Sequence, residues 1–343
     1  MLPVTFMPER AAFSVQPAAR GALLREIALL AAGLLLLALV IRVHWMADFA
    51  VFFILVLSFD LLYGYMGHLS FGHMLYFGAG AYGAALWLVY GNASAWAALA
   101  VGLAAAAGMA ALLGGVVLRT RGASFALINM AFNEIGHFLV QSPLAAYTLG
   151  EDGLSCTADP LFGAISLYED RWAFAFCGAV LLAVYALLRL LTRSPFGLLV
   201  RSIRENESRV RFLGYDTFRF KWIAFVIAST IAALAGGLFT LVQGFVSPRV
   251  ISPFGNVDVI FAVLIGGAGS LAGALIGAAA FLAIKNFLPV IIPELSRLLD
   301  VKLPQWELWL GVVLLLIVFS LRGGIVGTVQ ARLRNRKPAG EAQ

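Results

Sequence analysis

The chain has 343 residues, 62% of them hydrophobic, with a mean hydropathy of +0.93. A soluble domain has nowhere to bury that much apolar surface, so the composition excludes a soluble fold and points to an all-α polytopic membrane protein. The net charge of +6 reads as membrane topology before it reads as affinity for nucleic acid, and two cysteines, Cys156 in a polar loop and Cys177 in an apolar run, suggest no disulfide framework or metal site.

Residues 1–21 are proline-bearing and aperiodic and read as a cytoplasmic N-terminal tail. No small-x-small cleavage site follows the first apolar run cleanly, so that run is expected to be a retained anchor. The apolar runs predict about ten spans, within a range of eight to ten. They fall at about 22–41, 49–66, 72–90, 95–118, 123–141, 172–191, 221–246, 257–268, 271–292 and 306–321. The eighth is too short to cross alone at about 1.5 Å per residue, so it is expected to be broken or longer than it reads. Residues 22–322 thus form one transmembrane domain that includes a polar loop at 192–220, and 323–343 form a basic cytoplasmic tail.

Charge supports an even number of crossings. With the N-terminus in the cytoplasm and ten alternating spans, 18 of the 24 basic residues fall on the cytoplasmic side. Arg42, Arg171, Arg249, Arg297 and Lys302 fall outside, and Lys285 sits within a span. Six of the seven tryptophans lie near the outer span ends, where indoles prefer the headgroup level. The outer loop 142–171 is acidic and reads either as a docking surface for an external partner or as a solvated loop.

Two glycine-rich stretches stand out. Gly269, Gly273 and Gly277 repeat at four-residue spacing, which places small residues on one helix face for close packing in lipid. The junction containing Gly64, Gly67 and Gly72, with His68 and Ser70 between them, is dense enough in glycine to break a helix. Irregular backbone at membrane depth is tolerated where protein buries it or where it lines a wet cavity, so a translocation path here competes with an ordinary tight turn. Asp60, Asn129, Asn133 and Glu134 are polar residues in apolar runs and join this set as candidate path residues. A polar seam between helices is the competing reading. Glu134 and His137 stand three apart, but the second Glu-x-x-His copy of a di-iron bundle is absent.

No catalytic constellation appears: there is no Gly-x-Ser-x-Gly elbow. There is no phosphate loop either, since no lysine follows a glycine, so any ATP must be used by another chain. The polar loop then gains meaning. Ser194-Pro195 is a helix start, with a capping hydroxyl followed by proline at the first position. Phe196, Leu199, Val200 and Ile203 give one apolar face, Arg201, Arg204, Glu205 and Arg211 project elsewhere, and Glu205–Arg209 is an i,i+4 pair. Leu213-Gly214 fits the stop. This is an amphipathic helix, or two short ones broken near Glu205-Asn206, placed to receive a push from another protein. A helix held on anionic lipid is the alternative.

Several segments together resemble the LivM-type permeases of ABC importers for branched-chain amino acids. They are Leu61-Leu-Tyr-Gly-Tyr-Met-Gly-His-Leu-Ser-Phe-Gly-His73, Arg121-Gly-Ala-Ser-Phe-Ala126, Ala131-Phe-Asn-Glu134, Arg193-Ser-Pro-Phe-Gly197, Arg201-Ser-Ile-Arg-Glu-Asn-Glu207, Phe245-Val-Ser-Pro248 and Leu264-Ile-Gly-Gly-Ala-Gly-Ser-Leu271. The resemblance implies a type II-like permease in a bacterial inner membrane, paired with a second related permease, two ATPase subunits and an external solute-binding protein. It implies that Pro195, Phe196, Gly197, Arg201, Arg204, Glu205, Asn206, Leu213 and Gly214 form the helix that docks on the ATPase. Departures occur at Asp60, where the family has Asn, at His68, where it has Gln, at Asn129-Met130, where Thr-Leu is common, and at Gly150-Glu-Asp-Gly-Leu154. Related permeases carry urea, short amides or aromatic acids. An ion-coupled secondary transporter using Asp60 and Glu134 is the rival from another class.

Overall fold

The computed structural model describes residues 20–40, 43–161, 163, 165–298, 305–320 and 323–328. Most of the two expected tails, together with Arg42, Lys302 and Arg322, lies outside the described residues. Among the described residues six helices are long and apolar enough to cross a membrane. They overlap or coincide with α2 (Val43–Asp60), α4 (Ala95–Val117), α5 (Ala123–Gln141), α7 (Asp170–Arg193), α9 (Thr217–Gln243) and α11 (Leu271–Leu298). Four more apolar helices join them: α1 (Arg20–Val40), α3 (His73–Tyr90), α10 (Pro253–Gly266) and α12 (Trp306–Ser320). The chain is an all-α multi-pass membrane protein. A four-residue helix, α6 (Ala145–Thr148), lies in the long loop, and the polar α8 (Pro195–Phe212) follows α7. One short antiparallel pair, β1 (Leu154–Ser155) with β2 (Phe245–Val246), ties that loop to the chain after α9.

The core is built by α3, which packs against α9 and α4 with very small residues at the crossings. A Cβ on Gly80 would lie 2.0 Å from the Ala233 carbonyl oxygen, and one on Gly236 would lie 1.9 Å from that of Phe77. Helix backbones in lipid approach this closely only over small residues. Thr240 Oγ1 donates to the Ala81 carbonyl at 3.0 Å across the same contact.

The expected glycine face of span nine differs in one member. Gly273 and Gly277 lie in α11 against α10, where a Cβ on Gly277 would meet the Ala262 carbonyl oxygen at 2.1 Å. Gly269 is not on that helix. It has φ +86° and forms, with Gly267, the turn that reverses the chain from α10 into α11. At the start of the stretch expected as the basic tail, Gly323 and Gly324 pack against Gly267.

Two segments of irregular backbone enter the bundle. The first follows α2, which ends in a π-helical turn, Leu61–Tyr65, and then runs without helix to His73. The second runs from Gly244 through a 3-10 turn, Pro248–Ile251, and Ile251 reaches Gly78 in α3 and Gly136 in α5. Helix α10 therefore starts inside the bundle, which is why its apolar run is too short to cross alone. Asn256 Oδ1 accepts the Met74 N–H at 2.9 Å, so the first turns of α3 and α10 meet.

Candidate functional site

The polar helix α8 begins as its sequence dictates. Ser194 Oγ accepts the Gly197 N–H at 3.3 Å, and Pro195 occupies the first turn. Gly197 allows the tight α7–α8 corner, since a Cβ there would lie 2.4 Å from the Leu191 carbonyl oxygen. Phe196 packs its ring 5.9 Å from that of Phe220. The helix is broken at Asn206, whose φ of −157° and ψ of 91° are extended, and Asn206 Oδ1 accepts the Arg209 N–H at 2.9 Å to restart it. The break changes the ion pairing. The i,i+4 pair is Glu207–Arg211 at 3.1 Å, not Glu205–Arg209, and Glu205 is exposed.

Arg201 and Arg204, three apart, turn toward the π-helical end of α2. The Arg201 guanidinium lies 5.0 Å from the centroid of the Tyr65 ring. Arg204 Nη1 donates to the Gly64 carbonyl. A π-turn leaves carbonyls that an α-helical ladder would have used, and a guanidinium satisfies one of them here. Gly67 has φ +77°, and its backbone lies against the Arg204 side chain, with a Cβ there 2.8 Å from Cγ. Beside this contact the Gly269 N–H donates to Asp60 Oδ1 at 2.8 Å. Asp60 is fully buried and its Oδ2 has no hydrogen-bond partner. One continuous set of contacts therefore links α8, the break after α2 and the α10–α11 turn.

Glu207 is the second anchor of α8. Its carboxylate contacts Lys221 at 2.9 Å, Arg211 at 3.1 Å, Arg121 at 3.2 Å and the Thr217 hydroxyl at 3.0 Å. Lys221 is buried, so Glu207 supplies the counter-charge it requires. Partial burial acts to raise the Glu207 carboxyl, but the Lys221 ammonium, the Thr217 hydroxyl and the Arg121 charge outweigh it and hold it below the ordinary 4.5. A depressed carboxyl contributes stability that is present above the unfolded value and lost as pH falls through the folded one. Glu207→Gln is therefore expected to lower stability by about 1–3 kcal/mol at neutral pH. In thermal melts of the detergent-solubilised protein, the gap from wild type should start to close near pH 4.5 and vanish below it. A gap unchanged at acid pH would show that the charge is not what matters.

The other path candidates separate. His68 Nδ1 lies 3.0 Å from the Met66 carbonyl and its ring meets Phe125 edge-on. Ser70 Oγ accepts the Gly72 N–H at 3.3 Å, and Gly72 abuts the Asn129 carbonyl. The Asn129 amide donates within its own helix to Phe125, whereas Asn133 Nδ2 donates to the Ile251 carbonyl at 2.7 Å. Glu134 is exposed whereas Asp60 is fully buried, and no contact joins the two carboxylates proposed for ion coupling among the described residues. His73 was not singled out by sequence as a site residue. Ser58 Oγ donates to the Leu55 carbonyl at 2.6 Å, so it accepts at 2.8 Å from His73 Nε2, and His73 Nδ1 is left without a partner.

Two cavities flank the irregular segment. One of about 340 Å³ lies under α8, between Met66–Leu69, Arg121–Ala123 and Arg204. The other, of about 680 Å³, lies toward the opposite end, where Trp45 and Trp306 begin α2 and α12, and it reaches down to Met74. Ser70 to His73 separates them along the chain, with Ser70, Gly72 and His73 buried. On its outer face α8 ends in unpartnered apolar side chains: Phe212 is 94% exposed and Leu213, which precedes Gly214, is 69% exposed. Phe212 was missed by sequence reading, although it stands two residues after buried Val210, about 200° around the helix, and so off the apolar face.

A family model described as branched-chain amino acid transport system / permease component matches residues 41–321. The chain is 30% identical over 317 residues to the high-affinity branched-chain amino acid transport system permease protein LivM of Escherichia coli, covering 85% of this chain and 72% of that one. It is 28% identical over 101 residues to the probable branched-chain amino acid transport permease protein LivH of Methanocaldococcus jannaschii, covering 29% and 30% of the two chains. It is 28% identical over 166 residues to the autoinducer 2 import system permease protein LsrC of Photorhabdus laumondii, covering 47% of each. No solved structure matches. With a model match over most of its length and a break-and-helix junction in the segments that carry the similarity, the chain belongs to the family of branched-chain amino acid transport system permease components.

Proposed function

We propose that the chain is the permease subunit of an ATP-driven importer in a bacterial inner membrane, with both termini and α8 on the cytoplasmic side. It pairs with a second, related permease and with two ATPase subunits, and it receives an amino acid from an external binding protein. ATP is bound by the ATPase subunits and not by this chain, which itself carries no phosphate loop. The observation that carries the reading is the Arg204–Gly64 contact beside Asp60–Gly269. It gives a polar, non-spanning helix direct leverage on the one place where α2 is broken. The exposed Phe212 and Leu213 supply the apolar surface that a partner protein would cover. The ATPase pulls on α8 through that surface, the break shifts with Arg204, and the cavities on either side of Ser70–His73 open in turn.

The test is purification of the chain with its associated subunits and reconstitution into proteoliposomes. Uptake of leucine should require ATP on the α8 side and stop with vanadate. Recovery of the chain alone as a transporting homodimer, or uptake driven by an ion gradient without ATP, would overturn the proposal.

A further inference from the structure

The larger cavity holds a charge arrangement that the coupling argument does not use. Asp258 of α10 and Lys285 of α11 form an ion pair across it. The pair is not sealed in packed core, since the two side chains keep 29% and 39% of their surface exposed. Asp48 and Arg249 also line the cavity, so two acidic and two basic groups face one space. Arg249 is exposed and forms no ion pair among the described residues. The rest of the wall is strongly apolar. Phe52 and Phe281 stack at 6.0 Å, Phe77 and Phe239 lie 5.8 Å apart, and the Lys285 ammonium sits 5.8 Å from the Phe281 ring centroid.

A solute entering this space exchanges water for these groups. A net anion or cation would leave a charge uncompensated in an apolar chamber, which is expensive. A polar but uncharged solute offers neither member of the Asp258–Lys285 pair an opposite charge, so it could take their place only by stranding both. A zwitterion can satisfy both members at once, offering an ammonium to one and a carboxylate to the other. Its side chain must then be apolar to lie on the phenylalanine wall. The volume, about 680 Å³, is in the range of small-molecule sites.

We propose that this cavity is a solute-binding site of the permease itself, in which Asp258 takes the ammonium of an amino acid, Lys285 and Arg249 take its carboxylate, and the phenylalanine wall takes an apolar side chain. The inference rests on the importer reading for its solute and adds the place where that solute is read. It also locates recognition away from the glycine junction, at the outer approach to it.

The complete reconstituted transporter carrying Ser247→Cys reports on the site, because Ser247 lines the cavity and both native cysteines are buried. Labelling by a maleimide is followed with leucine, with its decarboxylated analogue isoamylamine and with its deaminated analogue 4-methylvalerate. Leucine should protect at a concentration at least tenfold lower than either analogue. Adding Asp258→Asn and Lys285→Met together removes the pair without stranding a charge, and leucine should then lose that advantage. No labelling, no protection, or equal protection by all three probes would overturn the inference, as would an advantage that survives the double substitution. ATP-driven uptake measured on the same vesicles separates the two claims. Uptake without selective protection removes the site and leaves the importer, and selective protection without uptake does the reverse.

Discussion

Gly64→Ala is expected to abolish transport while the chain still inserts. A methyl group at this position would lie 2.0 Å from Asp60 Oδ1 and 2.2 Å from the Gly269 nitrogen. Neither neighbour can yield easily, since the two are hydrogen-bonded to each other at 2.8 Å, the Asp60 side chain is fully buried, and the Gly269 nitrogen is backbone in the α10–α11 turn. Overpacking of this kind costs about 1–3 kcal/mol, and here it falls on the turn that holds α10–α11 against the end of α2. The same substitution at Gly115 in α4, where nothing lies within 4 Å, is the control and should be neutral to slightly stabilising because alanine favours helix. Uptake and thermal stability of the two variants, measured at equal membrane abundance, decide the matter. Wild-type uptake by Gly64→Ala would mean that the contact is free to open and cannot transmit force.

Much of this junction was legible in the sequence, for identifiable reasons. Runs of apolar residues bounded by polar ones set α4 and α5 almost to the residue, because in lipid the length of a helix is fixed by the apolar run. Ser194-Pro195 fixed the start of α8 by capping chemistry alone, and the density of glycine between Gly64 and Gly72 marked the broken helix. The choice of Glu205 over Glu207 as the important carboxylate had no local remedy. Both stand four residues before an arginine, and only the break at Asn206 decides which of them turns inward to Lys221. Asp258 and Lys285 were unreadable as a pair for a different cause. They are 27 residues apart on two helices joined by the Gly267–Gly269 turn, and helical periodicity says nothing about which residues meet across such a turn. Asn256, which caps the meeting of α3 and α10, was hidden in the same way.

The second large effect is expected at Arg204, and it separates docking from transmission. A hydrogen bond from a charged donor to a carbonyl is worth about 1.5–3 kcal/mol, and less where solvent screens it, as it partly does here. Arg204→Met keeps the stem that packs on Gly67 and removes the donor to the Gly64 carbonyl. Leucine uptake should fall about tenfold or more, since ~1.4 kcal/mol is a factor of ten. The ATPase subunits should still co-purify, because Phe212 and Leu213 face outward on the far side of the Asn206 break and are untouched. Phe212→Ser should give the opposite result, losing the ATPase subunits while the Arg204–Gly64 contact stands. Arg204→Lys should fall between, since an ammonium can reach the carbonyl but lacks the planar fork that lets Arg hold position beside Tyr65 and Gly67. If both Arg204→Met and Phe212→Ser lost the ATPase together, α8 would act as a single docking surface and the break after α2 would have no separate role. If Arg204→Met transported normally, the force would have to enter the bundle through the other charged anchors of α8, Glu207 with Lys221 or Arg201 over Tyr65.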